Sequence, residues 1–319
     1  MFAHGSLAGD ERMSTRNKKH LGGPVGWTPP DLRDKVAVVA GASRGAGRGI
    51  ALALGETGAI VYVAGRSVRG GPKPPDGAPG TIHDTADEVT ARGGHGIAVR
   101  TDCMVDAEVA ALFDRVNREQ GRLDILANAV WGGSERYGEK GWRSRPFWEL
   151  SSNGWQEMMM AGAYAFLLAS QHAARRMAQQ RRGLIVHITE PTLEKYDKGG
   201  PLFWMFWMLG HRCINRMSEA MSADLKKRRI TTVALAPGFM RTERVLMHMK
   251  SAKARKGARF DKSESTEYVG RAVASLAADP KALRRTGKLL FVGDLAQEYG
   301  FKDADGRTVA NFYRELKLI

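Results

Sequence analysis

The sequence predicts an α/β fold, a doubly wound parallel sheet in a single domain. From residue 33 onward, apolar strand-like runs alternate with longer helical stretches, as in a parallel sheet covered on both faces. A glycine-rich turn, AGASRGAGRGI, joins the first such run to the helix that follows. No internal repeat is visible, and no linker divides the pattern into two cores.

The elements follow in order. Lys35 to Gly41 reads as the first strand and Gly45 to Glu56 as its helix. The strand IVYVAG, begun by Ile60, leads into a long loop from Arg66 to Thr81, rich in Pro and Gly. A helix over Ile82 to Ala91, a strand over Gly96 to Thr101, a helix over Ala107 to Gln120 and a strand over Leu123 to Asn128 continue the alternation. Next come a long helix from Trp155 to Gln179, a strand from Leu184 to Thr189 and a second long helix from Pro201 to Lys227. Ile230 to Ala236 is a strand, Ser265 to Ala278 a helix and Lys288 to Val292 the last strand. Residues 1–32 read as a polar, flexible leader ahead of a domain over 33–319.

The leader has no continuous apolar core of the kind a secretory signal needs, so a cytoplasmic protein is expected. The stretch PLFWMFWMLGHRC, Pro201 to Cys213, packs two Trp, two Phe and two Met together but ends in His211 and Arg212. It is far shorter than the roughly 18 to 20 apolar residues that span a bilayer, so no membrane association is expected. The net charge of +15 arises in runs such as Lys226-Lys227-Arg228-Arg229, read as solvated helix ends. No recognised module interleaves these with aromatics, so no nucleic-acid partner is expected. Cys103 and Cys213 suit reduced buried thiols. No metal site is expected: Asp303-Ala-Asp305-Gly306 begins like a calcium loop but lacks the closing Glu.

Gly41, Ser43, Arg44, Gly45, Ala46 and Gly47 form the turn after the first strand. A dinucleotide pyrophosphate sits at such a turn, because glycines let the backbone approach and the helix N-terminus offers free N–H groups. The second strand ends Ala64-Gly65-Arg66-Ser67, with no acid to hold a ribose 2′-hydroxyl. Arg44 and Arg66 suit a 2′-phosphate, so NADP(H) is the expected cofactor.

The spacing G-x-x-x-G-x-G, with Gly41, Gly45 and Gly47, resembles the short-chain dehydrogenase/reductase family, a Rossmann-type fold, over roughly residues 33–300. Asp102-Cys103 resembles the family's adenine-facing station, and Leu126-Ala127-Asn128-Ala129 its N-N-A-G element with two substitutions. Pro237-Gly238 with Thr242 resembles the P-G-x-x-x-T motif beside the nicotinamide. The resemblance implies a small-molecule substrate, a substrate lid near 242–267 and a homo-oligomer, dimer or tetramer. Basic residues of that lid, Lys250, Lys253, Arg255 and Lys256, would favour an acidic substrate group or simply face solvent.

The resemblance also implies a catalytic Ser, Tyr and Lys and a relay Asn. Counting back from ADLKKRRITTVALAPG, the Lys position falls on His211 and the Tyr position on Trp207. The Ser position falls on Thr189 or Glu190, and the relay Asn is Gly162. Trp207 and His211 share one helix face, but an indole N–H only donates and cannot cycle a proton. Trp207 would shape an apolar pocket, His211 would bond the ribose, and Glu190 would be an acid, a base or a turn cap. Tyr196 offers a replacement hydroxyl, and Phe203, Trp204 and Met208 are read as packing residues. The reading is an atypical NADP(H)-dependent oxidoreductase acting on a bulky apolar or aromatic molecule. The alternatives are an isomerase, dehydratase or cyclase on the same fold, or a cofactor-binding protein without turnover.

Overall fold

The computed structural model describes residues 27–75, 77–133, 147–191, 205–250, 252–257 and 259–318. Seven parallel strands form one sheet in the order β3-β2-β1-β4-β5-β6-β7. They are β1 (Val36–Ala40), β2 (Ile60–Gly65), β3 (His95–Arg100), β4 (Ile125–Asn128), β5 (Gly183–Ile188), β6 (Ile230–Ala236) and β7 (Leu289–Phe291). Every residue of β1, β4 and β6 is buried. Helices cover both faces, which is the doubly wound architecture that the alternation predicts.

On one face α1 (Gly45–Glu56) packs on α8 (Thr266–Ala278), so tightly that a Cβ at Gly49 would lie 1.9 Å from the Thr266 carbonyl oxygen. On the other, α3 (Asp106–Gln120) and α4 (Ala165–Gln180) cover β1, β4 and β5 through Leu112, Val116, Leu168 and Ala173. The long helix expected from Trp155 is in two parts: a π-helical stretch, Trp155–Tyr164, with a kink at Ala161 (φ −83°, ψ 29°), runs into α4. The greasy helix α5 is described over Met205–Lys227; Pro201, Phe203, Trp204 and Tyr196 lie outside the described residues. Its basic end, Lys226 to Arg229, is exposed as the solvated reading requires.

The strand expected at Lys288 to Val292 is shorter, because Val292 already begins a helix, Val292–Tyr299. The segment 242–267 contains two short helices, α6 (Glu243–His248) and α7 (Ala252–Gly257). Of the two cysteines, Cys103 is buried but Cys213 is exposed, on the solvent side of α5, so the expectation of two buried thiols is corrected. Among the described residues no helix is long and apolar enough to cross a membrane, and no group of His, Cys, Asp and Glu is arranged to hold a metal. Asp303, half of the calcium look-alike, instead accepts from Arg241 Nη2 at 2.9 Å and from Ser265 N at 2.9 Å.

Two residues assigned to the leader pack on the domain. Leu32 is 3% exposed, and its N–H donates to the Thr57 carbonyl at 2.9 Å. Trp27 lies over the guanidinium of Arg271, 4.8 Å from its ring centroid, and Arg271 is wholly buried. A buried guanidinium is costly unless its charge is balanced, and the indole face supplies part of that balance alongside Glu56 and Glu267. Trp27→Ala is therefore expected to lower stability by about 1 to 3 kcal/mol. Urea unfolding measures this, and an unchanged midpoint would show that Trp27 does not support the core.

Candidate active site

The order of the sheet reverses direction between β1 and β4. Chains leaving their carboxyl ends part there and open a crevice, the place where open α/β sheets bind ligands. A cleft of about 920 Å³ lies at this point. Its wall at the first turn is glycine by necessity. Gly41 has φ +82°, and a Cβ there would lie 2.7 Å from Val130 N. A Cβ at Gly47 would lie 2.2 Å from the Gly41 carbonyl oxygen, so Gly47 sits behind the wall and holds the turn against α1. Gly45, at φ +58°, faces open space, with Thr242 Cγ2 the nearest atom to a Cβ at 3.7 Å.

The cradle fits a dinucleotide pyrophosphate. Arg44, the residue capping α1, gives its N-terminus no side-chain hydrogen bond, and the helix's first turn carries no acid of its own. A helix start of that kind presents N–H groups and a positive dipole end to an anion. At the ends of β2 and β3, Arg66, Ser67, Lys73, Arg100, Asp102 and Cys103 line the same cleft. Arg44 reaches across this end, donating to Ser67 Oγ at 2.9 Å and to the Gly80 carbonyl at 2.9 Å. The Asp102 carboxylate accepts from Met104 N at 3.0 Å, and burial pushes the Cys103 thiol up to about 12, so that thiol is inert.

Ala129, Pro237, Gly238 and Thr242 line the cleft as well. Asn128 does not. It is wholly buried, and its Nδ2 donates to Ser170 Oγ at 3.1 Å, which in turn contacts His187 Nε2 at 3.0 Å. Asn128 and Gly47, both expected as cofactor contacts, thus lie behind the cleft wall, Asn128 because β4 points its side chain into the interior layer.

The four residues at the expected catalytic positions meet in one wall of the cleft. Glu190 N–H donates to His211 Nδ1 at 3.2 Å. A backbone N–H can only donate, so Nδ1 must accept and the neutral ring carries its proton on Nε2. That Nε2 is buried and has no hydrogen-bond partner among the described residues. Burial in this apolar setting lowers the His211 pKa to about 3, so the ring is neutral at physiological pH. Thr189 Oγ1 lies 3.2 Å from the same Nδ1. The Trp207 indole donates to Glu190 Oε2 at 2.9 Å. Burial raises the Glu190 pKa, and the indole hydrogen bond offsets only part of the rise.

Trp131, absent from the sequence reading, completes this wall. Its ring stacks on His211 with centroids 4.4 Å apart and an interplanar angle of 20°. It meets Trp207 edge to face at 5.1 Å. The ring lies against Gly162 and Gly210: a Cβ at Gly162 would be 2.8 Å from Trp131 Cζ3, and one at Gly210 would be 3.0 Å from Cη2. A side chain at 162 and the Trp131 ring would therefore compete for the same space. The C-terminal segment supplies two further wall residues that sequence reasoning missed, Phe312 and Tyr313. Tyr313 Oη donates to the Pro237 carbonyl at 3.1 Å. No periodicity or motif announces either residue.

A protein-family model described as short chain dehydrogenase matches residues 35–253. Dehydrogenase/reductase SDR family member 1 of Mus musculus is 34% identical over 293 residues, 88% of this chain and 87% of the relative. The hydroxynaphthalene reductase-like protein Arp2 of Metarhizium brunneum is 27% identical over 216 residues, 68% of this chain and 72% of the relative. Among solved structures, a short chain dehydrogenase from Mycobacterium thermoresistibile superposes with a TM-score of 0.72 at 21% identity, covering 88% of this chain and 95% of that one.

Gly162→Ala tests the seating of Trp131. With its Cβ 2.8 Å from the ring, the added methyl is expected to cost about 1 to 3 kcal/mol by overpacking and to shift the indole fluorescence. Stability and emission both unchanged would mean that the ring does not occupy this slot.

Proposed function

The chain belongs to the short-chain dehydrogenase/reductase family, and from that premise we propose that it is an NADP(H)-dependent oxidoreductase for bulky apolar or aromatic small molecules, with Glu190 as its proton-exchanging group. The observation that carries the reading is the contact of Trp207 Nε1 with Glu190 Oε2 at 2.9 Å inside the cleft that holds the glycine turn. Oxidoreductase activity is the family's general property.

A bound nicotinamide would supply the hydride, and the proton falls to the protein. Glu190, whose pKa burial raises, is the group in this wall that can give a proton, which a Trp cannot. As a carbonyl becomes an alcohol, the carboxyl O–H proton passes to the substrate oxygen, and the carboxylate left behind keeps the Trp207 N–H as its hydrogen-bond donor. Return of a proton from solvent restores the acid. His211 stays neutral and offers Nε2–H to an acceptor such as a ribose hydroxyl, which is a binding role. Tyr313 is unsuited as the acid, since its hydroxyl proton is committed to Pro237.

The substrate reading rests on the lining: Val130, Trp131, Phe166, Trp207, Phe239, Met240 and Phe312 make that part of the cleft apolar and aromatic. The fungal relative's name, a hydroxynaphthalene reductase-like protein, agrees in kind. The cofactor reading rests on Arg44 and Arg66 at the end of β2 in place of an acid.

Glu190→Gln should lower NADPH-dependent reduction of bicyclic aromatic ketones on the order of a hundredfold or more, with NADPH binding unchanged. The acid form is the donor, so wild-type reduction should fall as pH rises through the elevated Glu190 pKa, and that step should vanish in the variant. Brisk, pH-independent turnover by Glu190→Gln would remove Glu190 from the mechanism.

Charge-assisted contacts with a 2′-phosphate should make the NADPH dissociation constant about ten- to a hundredfold lower than that of NADH. Arg66→Ala should narrow the gap. Equal constants for the two dinucleotides in calorimetry would rule out this preference.

A further inference from the structure

Glu243 reaches 198 residues back along the chain to the start of α1, where its Oε2 accepts the Gly45 N–H at 2.7 Å. That N–H belongs to the glycine turn, at a helix start with no cap of its own. A carboxylate there answers the same need that a phosphate answers, namely an anion for free N–H groups at the positive end of a helix dipole. Glu243 is also the first residue of α6, whose N-cap Thr242 accepts from Val245 N at 3.2 Å and whose Thr242 methyl lies over Gly45. Glu243, Thr242, Arg244 and Val245 all line the cleft. The start of α6 is thus tied to the turn by one carboxylate.

We propose that Glu243 is a built-in competitor for the pyrophosphate seat, so that dinucleotide binding displaces its carboxylate from Gly45 and releases α6 from the turn. The inference rests on the reading of the cleft as a dinucleotide site and adds a coupling to it. One N–H cannot be given fully to two anions, and two anions at one helix start repel. Cofactor affinity is therefore reduced by the strength of the Glu243 contact, and the gain on removing it equals the reciprocal of the untied population. The coupling also sets an order of events: cofactor first, then a freed α6 at the mouth through which substrate enters. Reciprocity requires that anything holding α6 against the turn weaken cofactor binding by the same factor.

The test uses the full chain and two probes, NADPH and inorganic pyrophosphate, with dissociation constants from calorimetry for wild type, Glu243→Gln and Glu243→Ala. Thermal unfolding confirms that each variant folds, and Glu243→Gln keeps the shape while removing the charge. Both variants are expected to bind NADPH roughly tenfold or more tightly, the scale of one charge-assisted hydrogen bond, and to bind pyrophosphate more tightly as well. A second readout follows α7, the short helix just beyond α6. NADPH should speed tryptic cleavage at exposed Lys253, Arg255 and Lys256 in wild type, and Glu243→Ala should be cleaved fast without it. Wild type that binds NADPH, beside variants with equal or weaker affinity and unchanged cleavage, overturns the proposal and leaves the cofactor reading standing. Failure of all three proteins to bind either probe overturns the cofactor reading and the proposal with it.

Discussion

The close approach of the turn after β1 to the end of β4 is the constraint on which the site depends. With Val130 N only 2.7 Å from where a Gly41 Cβ would be, no other residue type fits without moving one of the two central strands. β1 and β4 are neighbours across the point where strand order reverses, so this contact fixes the floor of the cleft and the direction of α1. Gly47 then brings α1 in under the turn, and Gly49 lets α8 lie against its back. Each glycine removes a side chain where two backbones must nearly touch, and together they aim the helix start at the crevice.

At the chemical end the same logic of space links a set of neighbouring residues. The indole at 131 crowds any side chain at 162 and, less severely, at 210, and its flat face stacks on the neutral ring at 211. A lysine at 211 would bring a cation into a setting where burial already holds the imidazole neutral. Trp207 adds an edge contact to Trp131 and turns its one donor to Glu190. None of these residues makes the same sense alone.

The sheet and its helices were legible because buried parallel strands and amphipathic helices write their periods directly into the sequence, and the glycine turn stood between a strand and a helix where its meaning is specific. The four residues opposite the turn were legible by position, through the unbroken helix between Trp207 and β6. Trp131 was not, since it follows β4 in an irregular stretch where no period constrains it. Phe312 and Tyr313 reach the cleft from the far end of the chain, a long-range contact that local pattern does not encode. The burial of the Asn128 side chain was not legible, because a motif gives a residue's station but not which way its strand turns it. Trp27 was read as leader because one aromatic among polar residues carries no periodicity, yet Arg271 beneath it is a buried charge that needs a cover.

The charge distribution connects these parts. The chain carries a net +15, yet the cleft residues from β5 and α5, namely Ile188, Thr189, Glu190, Trp207 and His211, include no Lys or Arg. Cations collect at the opposite end, where Arg66, Lys73 and Arg100 leave β2 and β3. The cleft is therefore rich in cations at the ends of β2 and β3 and has none in the wall built by β5 and α5. That separation matters for Glu190. A cation close by would favour the ionised carboxylate, whereas an apolar wall shifts the balance toward the proton-bearing form. A neutral His211 beside Glu190, at the place where the family resemblance leads one to expect a cation, suits a carboxyl that is to carry a proton.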